Sequence, residues 1–490
     1  MLYQAVREVA RSRPERVAVS IPEHRRETYA SLIARVDRIE AGLRRHGVGE
    51  GDVVACSLSN GIGYVAFILA VAKAGAVYVP MIREFDGADR ARALDLTGPV
   101  LMVVDGTRAV EAPGRPTVRL GALEAAQPRP SPGSRAPARG TFRYLWTSGS
   151  TGFPKMMSWR QDSFLAERRR WVRHTGLNDT DVFFCRHPID VAHATDLHMF
   201  AALLSGARLV VTDPDTDPAV MLEQVIACGT TVMSALPRHY DQFADIAEKS
   251  GGADLSRVRL PFCGGTYVGP NMVERCERAL SLRIRRLYGS TEFGLAAVDL
   301  VGRGAADAFL PLVPGVEARL EPLGHRDGGI GELVLRSPHT SDGYLNDARA
   351  HARTFRGGEY RTGDVAERNA SGEYRILGRV SETLSAEHGL LLAPALDEDI
   401  VLHCPVAEAV SVPVAPDGRG QAVRVLVRPR GEVGTAEAAA AVRRRLESHG
   451  LRGDVRATDR MPYTAVGKPN KAAIRRMWDV PAEEPAQPAG

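Results

Sequence analysis

Lysine is scarce in this chain. Among 63 Lys and Arg residues, only five are Lys: Lys73, Lys155, Lys249, Lys468 and Lys471. A chain this partial to Arg that keeps a Lys keeps a compact, flexible ammonium, for which the planar guanidinium is no substitute. Lys155 and Lys468 stand in motifs and are read in that way. Lys73 and Lys249 are read as surface residues that persist by chance. Cysteine is also sparse. The six, Cys56, Cys185, Cys228, Cys263, Cys276 and Cys404, include no Cys-x-x-Cys pair. That excludes the common zinc spacings and a disulfide framework, and fits reduced thiols in a cytoplasmic protein. The net charge of +4 is small for 490 residues, so no nucleic-acid partner is implied. Long apolar runs are missing too. The longest stretch, residues 64–80, is interrupted by Lys73 and reads as a buried helix feeding a strand. Residues 1–16 mix Glu and Arg with apolar side chains and hold no signal-peptide core. The expectation is a cytoplasmic protein with no membrane partner.

What is present points to an α/β enzyme. The length exceeds what one apolar core organises, so two or more domains are expected. Residues 27–48 have helical spacing, residues 53–57 read as a strand, and the alternation continues to about residue 300. Such alternation argues for largely parallel sheets. Residues 127–140, rich in Pro, Arg and Ser, read as a linker or surface loop. Residues 331–336 and 359–377 read as antiparallel strands with Gly turns, a small barrel-like subdomain. Beyond Arg379 a compact α+β pattern restarts, with strands near 407–414 and 422–427 and a helix over 435–448. The expected division is residues 1–379, residues 380–480 and a disordered tail over 481–490.

The most informative segment is Tyr144-Leu-Trp-Thr-Ser-Gly-Ser-Thr-Gly-Phe-Pro-Lys155. A short buried strand empties into Thr147, Ser148, Gly149, Ser150, Thr151 and Gly152, and Lys155 closes the loop with a charge. Glycines let backbone N–H groups approach an oxyanion, and hydroxyls add rotatable donors, so the loop is suited to phosphate oxygens. It is not the Walker loop, because Phe153 and Pro154 separate Gly152 from Lys155.

This loop resembles the signature of the adenylate-forming superfamily, which includes acyl- and aryl-CoA synthetases and peptide-synthetase adenylation domains. Further motifs follow in order: Leu287-Tyr-Gly-Ser-Thr-Glu292, Gly331-Glu-Leu333 with Gly343-Tyr-Leu-Asn346, Tyr360-Arg-Thr-Gly-Asp364, Gly378-Arg379, and Pro462-Tyr-Thr-Ala-Val-Gly-Lys468. The resemblance implies a large N-terminal AMP-binding domain of αβαβα layers and a smaller, mobile, lysine-bearing C-terminal domain. It assigns the residues of the 147–155 loop to the β- and γ-phosphates of ATP. It makes Glu292 a Mg²⁺ ligand and Thr291 an α-phosphate contact, and places the preceding Tyr288, Gly289 and Ser290 in the nucleotide site. Tyr288 then faces adenine or is a core aromatic. Gly264, Gly265 and Thr266 line the adenine pocket or form a plain turn. Asp364 accepts from ribose hydroxyls or forms a turn, and Arg379 touches ribose or phosphate or makes a structural salt bridge. Lys468 is implied to neutralise charge between a substrate carboxylate and the α-phosphate.

The implied reaction is ATP-dependent activation of a carboxylic acid, then thioester formation on CoA or on the phosphopantetheine of an acyl carrier protein. Two alternatives stand beside it: transfer to an amine or other nucleophile, and a non-catalytic nucleotide-binding homologue. The chain departs from the family at the hinge, with Ser381 where Asp or Lys is usual and no Lys in Leu384-Ser-Ala-Glu-His388; Gly389 remains as a glycine for the thiol tunnel. The acid pocket falls on residues 185–198, where His187, Asp190, His193 and Asp196 are polar. They suit a hydroxylated or amino-substituted aryl acid better than a long fatty acid, or they bond backbone and cap helices. The cluster Arg443, Arg444, Arg445, Arg452 and Arg456 meets CoA phosphates or an acidic carrier, or is a solvated face.

Overall fold

The computed structural model describes residues 1–83, 85–106, 114–127, 140–147, 153–323, 329–386, 389–414, 422–464 and 467–478. Ser148, Gly149, Ser150, Thr151 and Gly152 lie outside them, as do most of the 127–140 linker, His388 and the 481–490 tail.

Two mixed sheets organise the first three hundred residues. The eight-stranded sheet runs, by position, Gly294–Val298, Arg285–Ser290, Leu260–Cys263, Val232–Ala235, Val182–Cys185, Arg208–Val211, Val17–Ile21, Arg25–Thr28. The seven-stranded sheet runs Gly343–Tyr344, Lys155–Arg160, Thr141–Thr147, Val77–Pro80, Val53–Ser57, Leu101–Val104, Thr117–Arg119. Inner pairs are parallel; antiparallel pairs are confined to the ends. Parallel strands covered on both faces become unbroken apolar runs, as in Val-Phe-Phe-Cys of Val182–Cys185. Phe183 and Cys185 enter one apolar core, while Phe184 enters another with Tyr240 and Phe243. The helix Ile62–Ala74 is apolar all round and packs on strands of both sheets. It stops at Gly75, whose φ of 76° suits a left-handed cap.

Between residues 317 and 379, all strands but Gly343–Tyr344 form a five-stranded, wholly antiparallel sheet. From residue 384 onward the chain holds apolar cores of its own. There the strands Val406–Pro413, Ala422–Pro429 and Arg452–Ala457 pack with the helices Ala393–His403 and Thr435–Ser448. This part meets the larger one through polar and ring contacts. Tyr267 donates to Glu398 at 3.2 Å, the Arg238 guanidinium lies 3.4 Å from the Tyr463 ring centroid, and Gly467 abuts His239.

One expectation changes and another is refined. Lys73 is not a chance surface residue: its ammonium pairs with Asp37 at 3.0 Å and Glu40 at 3.2 Å. The basic cluster keeps Arg443, Arg444 and Arg452 exposed, as a solvated face would, while three of its members also bond within the C-terminal part. Arg445 donates to Asp399 at 2.6 Å, Arg443 to the Val455 carbonyl at 3.2 Å, and Arg456 to the Met477 carbonyl. No helix among the described residues is long and apolar enough to cross a membrane.

Candidate functional site

The Thr141–Thr147 strand and the Lys155–Arg160 strand pair in register, with Thr147 opposite Lys155. Lys155 therefore begins a strand, not a helix. Asn346 secures that flank twice, donating to the Pro154 carbonyl at 3.1 Å and accepting from the Met156 N–H at 2.8 Å. The Lys155 ammonium lies 4.8 Å from the centroid of the Tyr344 ring. The Tyr344 hydroxyl donates to Glu292 Oε1 at 2.8 Å. Tyr344 sits within a motif read from the sequence but was given no role there; its placement between Lys155 and Glu292 depends on the Gly343–Tyr344 strand pairing with Lys155–Arg160.

A cleft of about 350 Å³ opens between these residues and the antiparallel sheet. Lys155, Glu292, Tyr344, Tyr360, Thr362 and Arg379 line it, among others. Asp364 accepts from the Tyr288 hydroxyl at 2.5 Å and pairs with Arg379 Nε at 2.9 Å. Burial raises the Asp364 pKa, and Arg379 opposes that rise. Tyr288 is thus tied to Asp364 through its hydroxyl, and its pKa is raised well above the usual phenol value by burial and that carboxylate. Ser290 Oγ donates to the Tyr360 hydroxyl at 3.1 Å, and the Thr291 carbonyl accepts from Trp159 at 2.9 Å.

Two glycines are fixed by close approach. A Cβ at Gly264 would stand 2.4 Å from the Leu287 carbonyl, and one at Gly289 would stand 2.4 Å from the Gly294 carbonyl. Larger residues would part these strands. Gly265 and Thr266 follow at the exposed strand end. A Cβ at Gly265 would meet His193 Nδ1 and Lys468 Cε, each at 3.8 Å. Lys468 thus enters from the C-terminal part beside Gly265. Its pKa is lowered by burial and by Arg379, with Glu292 and Asp364 opposing. The turn carrying it is closed by Thr464 N–H to the Lys468 carbonyl at 2.8 Å.

Beyond Lys468 lies a group of four histidines. His187 and His193 have ring centroids 4.1 Å apart, and His239 is 5.2 Å from His187. Ser234 joins them: its Oγ meets His193 Nε2 at 2.8 Å, its carbonyl meets His187 Nε2 at 3.1 Å, and its N–H donates to His198 Nε2 at 3.1 Å. Burial lowers all four imidazole pKa values, that of His193 to about 3 and that of His198 to about 4. The cluster is neutral at physiological pH. Asp196 is not part of it. Its carboxylate accepts both guanidinium nitrogens of Arg143, at 2.5 and 2.8 Å, inside the core. Asp190 is buried near Cys56, Tyr64 and Tyr78.

No group of three or more His, Cys, Asp or Glu side chains among the described residues is arranged to hold a metal ion. Glu292 offers one carboxylate, with Oε2 free of the Tyr344 bond. That donor set fits a Mg²⁺ that keeps its waters and is held mainly by nucleotide phosphates.

Residues 6–345 match the family model described as AMP-binding enzyme. Over 475 residues the chain is 28% identical to feruloyl-CoA synthase of Amycolatopsis sp, covering 92% of this chain and 94% of that protein. It is 27% identical to the salicyl-AMP ligase / salicyl-S-ArCP synthetase of Mycobacterium tuberculosis, covering 96% and 90%. The fold matches the crystal structure of ATP-bound MatB from Rhodopseudomonas palustris with a TM-score of 0.84 at 21% identity, over 98% of this chain and 99% of that one.

Proposed function

The chain belongs to the AMP-binding enzyme family as an adenylate-forming acid–thiol ligase that uses ATP, and on that premise we propose that it activates an aryl or polar-substituted acid. The observation that carries this reading is that five separate motifs meet: Lys155, Glu292 and Arg379 line one cleft, Asp364 pairs with Arg379, and the Lys468 ammonium feels Arg379, Glu292 and Asp364. The substrate carboxylate attacks the α-phosphorus in line and pyrophosphate leaves. The protein's contribution is positioning and charge stabilisation. In this reading Lys155, with Thr147 and residues 148–152, holds the β- and γ-phosphates. Asp364 and Arg379 hold the ribose, beside an adenine site at Gly264, Gly265, Thr266 and Tyr288. Thr291 meets the α-phosphate. Glu292, oriented by Tyr344, holds the phosphate-bound Mg²⁺, which supplies charge neutralisation when bound. Lys468 sits between carboxylate and α-phosphate as negative charge builds there.

The acid lies against His187 and His193. Neutral imidazoles and the Ser234 hydroxyl offer hydrogen bonds without charge, which favours hydroxyl or amino substituents over a long alkyl chain. Feruloyl-CoA synthase and salicyl-AMP ligase among the relatives support an aryl acid. Asp196 serves instead to hold Arg143. Residues 380–480 form the mobile unit that brings Lys468 in, and its withdrawal lets a thiol of CoA or of a carrier protein attack the acyl carbonyl, with AMP leaving. Ser381 at the hinge favours a second reading, in which an amine takes the acyl group. Acid-dependent ATP–pyrophosphate exchange over aryl, amino and short fatty acids, without thiol, tests the first step. Exchange confined to fatty acids would overturn the aryl assignment.

A further inference from the structure

Arg186 follows the Val182–Cys185 strand and turns toward the helix Pro237–Ser250, its guanidinium 6.0 Å from the Phe243 ring centroid. It is 8% exposed, yet no hydrogen bond or ion pair engages it among the described residues, and Nη1 is wholly buried without a partner. A buried guanidinium without a counter-ion is costly. Burial and the neighbouring Arg238 lower its pKa to about 10, which still leaves it charged at neutral pH. His239, 6% exposed, stands beside it with Nδ1 buried and unpartnered. His239 belongs to the first turn of the Pro237–Ser250 helix, and Arg186 lies beside it. That turn has Pro at its start, no capping side chain and no acidic residue, so its dipole is unopposed. Arg238 adds a second guanidinium whose described contact is the Tyr463 ring.

We propose that Arg186, His239 and the first turn of Pro237–Ser250 bind a second anionic group on the substrate acid, so that the preferred substrate is a diacid. The inference rests on the acid-activation reading and specifies its substrate. The histidine rings map the path: His239 to His187 is 5.2 Å, His187 to His193 is 4.1 Å, and His193 stands beside Lys468 at Gly265. A benzene dicarboxylate or short aliphatic diacid bridges that span, with one carboxylate at Lys468 and the other at Arg186. The burial of Arg186 and His239 favours a compact acid over the phosphates of an incoming thiol carrier. The neutral histidines between carry no charge, so the distal end selects charge through Arg186, the buried guanidinium, with Arg238 stacked on Tyr463 beside it.

The test compares terephthalate with p-toluate, and adipate with hexanoate, in wild type, Arg186→Met and Arg186→Lys. In ATP–pyrophosphate exchange, wild type is expected to prefer each diacid at least tenfold in kcat/KM. Arg186→Met loses that preference through KM for the diacid, with KM for ATP unchanged, while Arg186→Lys keeps part of it. Unliganded Arg186→Met melts at or above the wild-type temperature, because it removes an unpaired buried charge. With ATP present, a diacid raises the melting temperature of wild type and not of Arg186→Met. A missing shift, a preference for the monoacids, or an equal loss for both acids in Arg186→Met overturns the proposal. A diacid-induced shift without exchange for any probe refutes acid activation and leaves the anion site standing.

Discussion

Replacement of Lys468 by Ala removes the one ammonium that the C-terminal part contributes beside Gly265, His193 and the Asp364–Arg379 pair. The role proposed for it is electrostatic, so the expected loss follows from Coulomb's law. A unit charge about 4 Å from developing negative charge is worth about 4 kcal/mol at an effective dielectric of about 20. That corresponds to about a thousandfold in rate, within the range seen when a preorganised transition-state donor is deleted. The expected result is a fall of about a hundred- to a thousandfold in acid-dependent ATP–pyrophosphate exchange, with ATP affinity within about threefold of wild type. The side chain is partly buried and makes no hydrogen bond among the described residues, so the melting temperature should hold to within a few degrees, about 1 kcal/mol. Burial lowers the Lys468 pKa, so the ammonium is lost at lower pH than from an ordinary lysine. The alkaline limb of wild-type exchange should follow that loss, and the Ala variant should lack it. Undiminished exchange in Lys468→Ala, or a collapse of ATP binding with it, would refute the assignment.

Tyr344→Phe frees Glu292 Oε1 from its 2.8 Å bond and should raise KM for Mg·ATP about three- to tenfold at a stability cost of about 1 kcal/mol; titration of exchange with Mg²⁺ checks it. Asp196→Asn leaves Arg143 buried and unpaired, so a loss of about 3–5 kcal/mol in denaturant unfolding is expected; a normal unfolding curve with a raised KM for the acid would instead make Asp196 a substrate ligand. Asp397 accepts from the Ser411 N–H at 2.6 Å, and burial raises its pKa to about 7, above the unfolded value of about 3.9. The folded state holds a proton that the unfolded chain has released, so this contribution is full below about pH 4 and is lost as pH rises to about 7; Asp397→Asn should flatten the stability profile across that window. Gly467→Ala meets a φ of 90° and a Cβ position 2.6 Å from His239 Nε2, so it should shift the Lys468 turn and lower exchange about tenfold or more, with little effect on ATP binding.

Much of the architecture was legible because parallel strands and their helices leave local patterns. The apolar run interrupted by Lys73 is the helix Ile62–Ala74 and strand Val77–Pro80, and the pattern after Arg379 returns as sheet and helix. The residues around the cleft were legible as motifs, since each is a short string whose spacing is set by one turn. What escaped was every partnership made across the sheets. Asp196 could be placed near the acid, but Arg143, its ion-pair partner, lies 53 residues earlier on another sheet. His187 and His193 stood out within one stretch. Ser234 and His239 came from a strand and helix some 40 residues on, and no local pattern marks them as neighbours. The same holds for Lys73, whose acidic partners sit on the preceding helix, Tyr29–Arg45.

Thr147 and Lys155 face each other across a strand pair, and Asn346 bonds to both sides of Lys155. The ends of the intervening loop are thereby brought together by the sheet itself. Whatever conformation residues 148–152 take, the entropy of closing that loop is expended when the protein folds, not when a nucleotide arrives. In the proposed phosphate role of Lys155, binding draws on a charge mounted on a fixed strand, and its free energy goes into phosphate contacts rather than into gathering the chain.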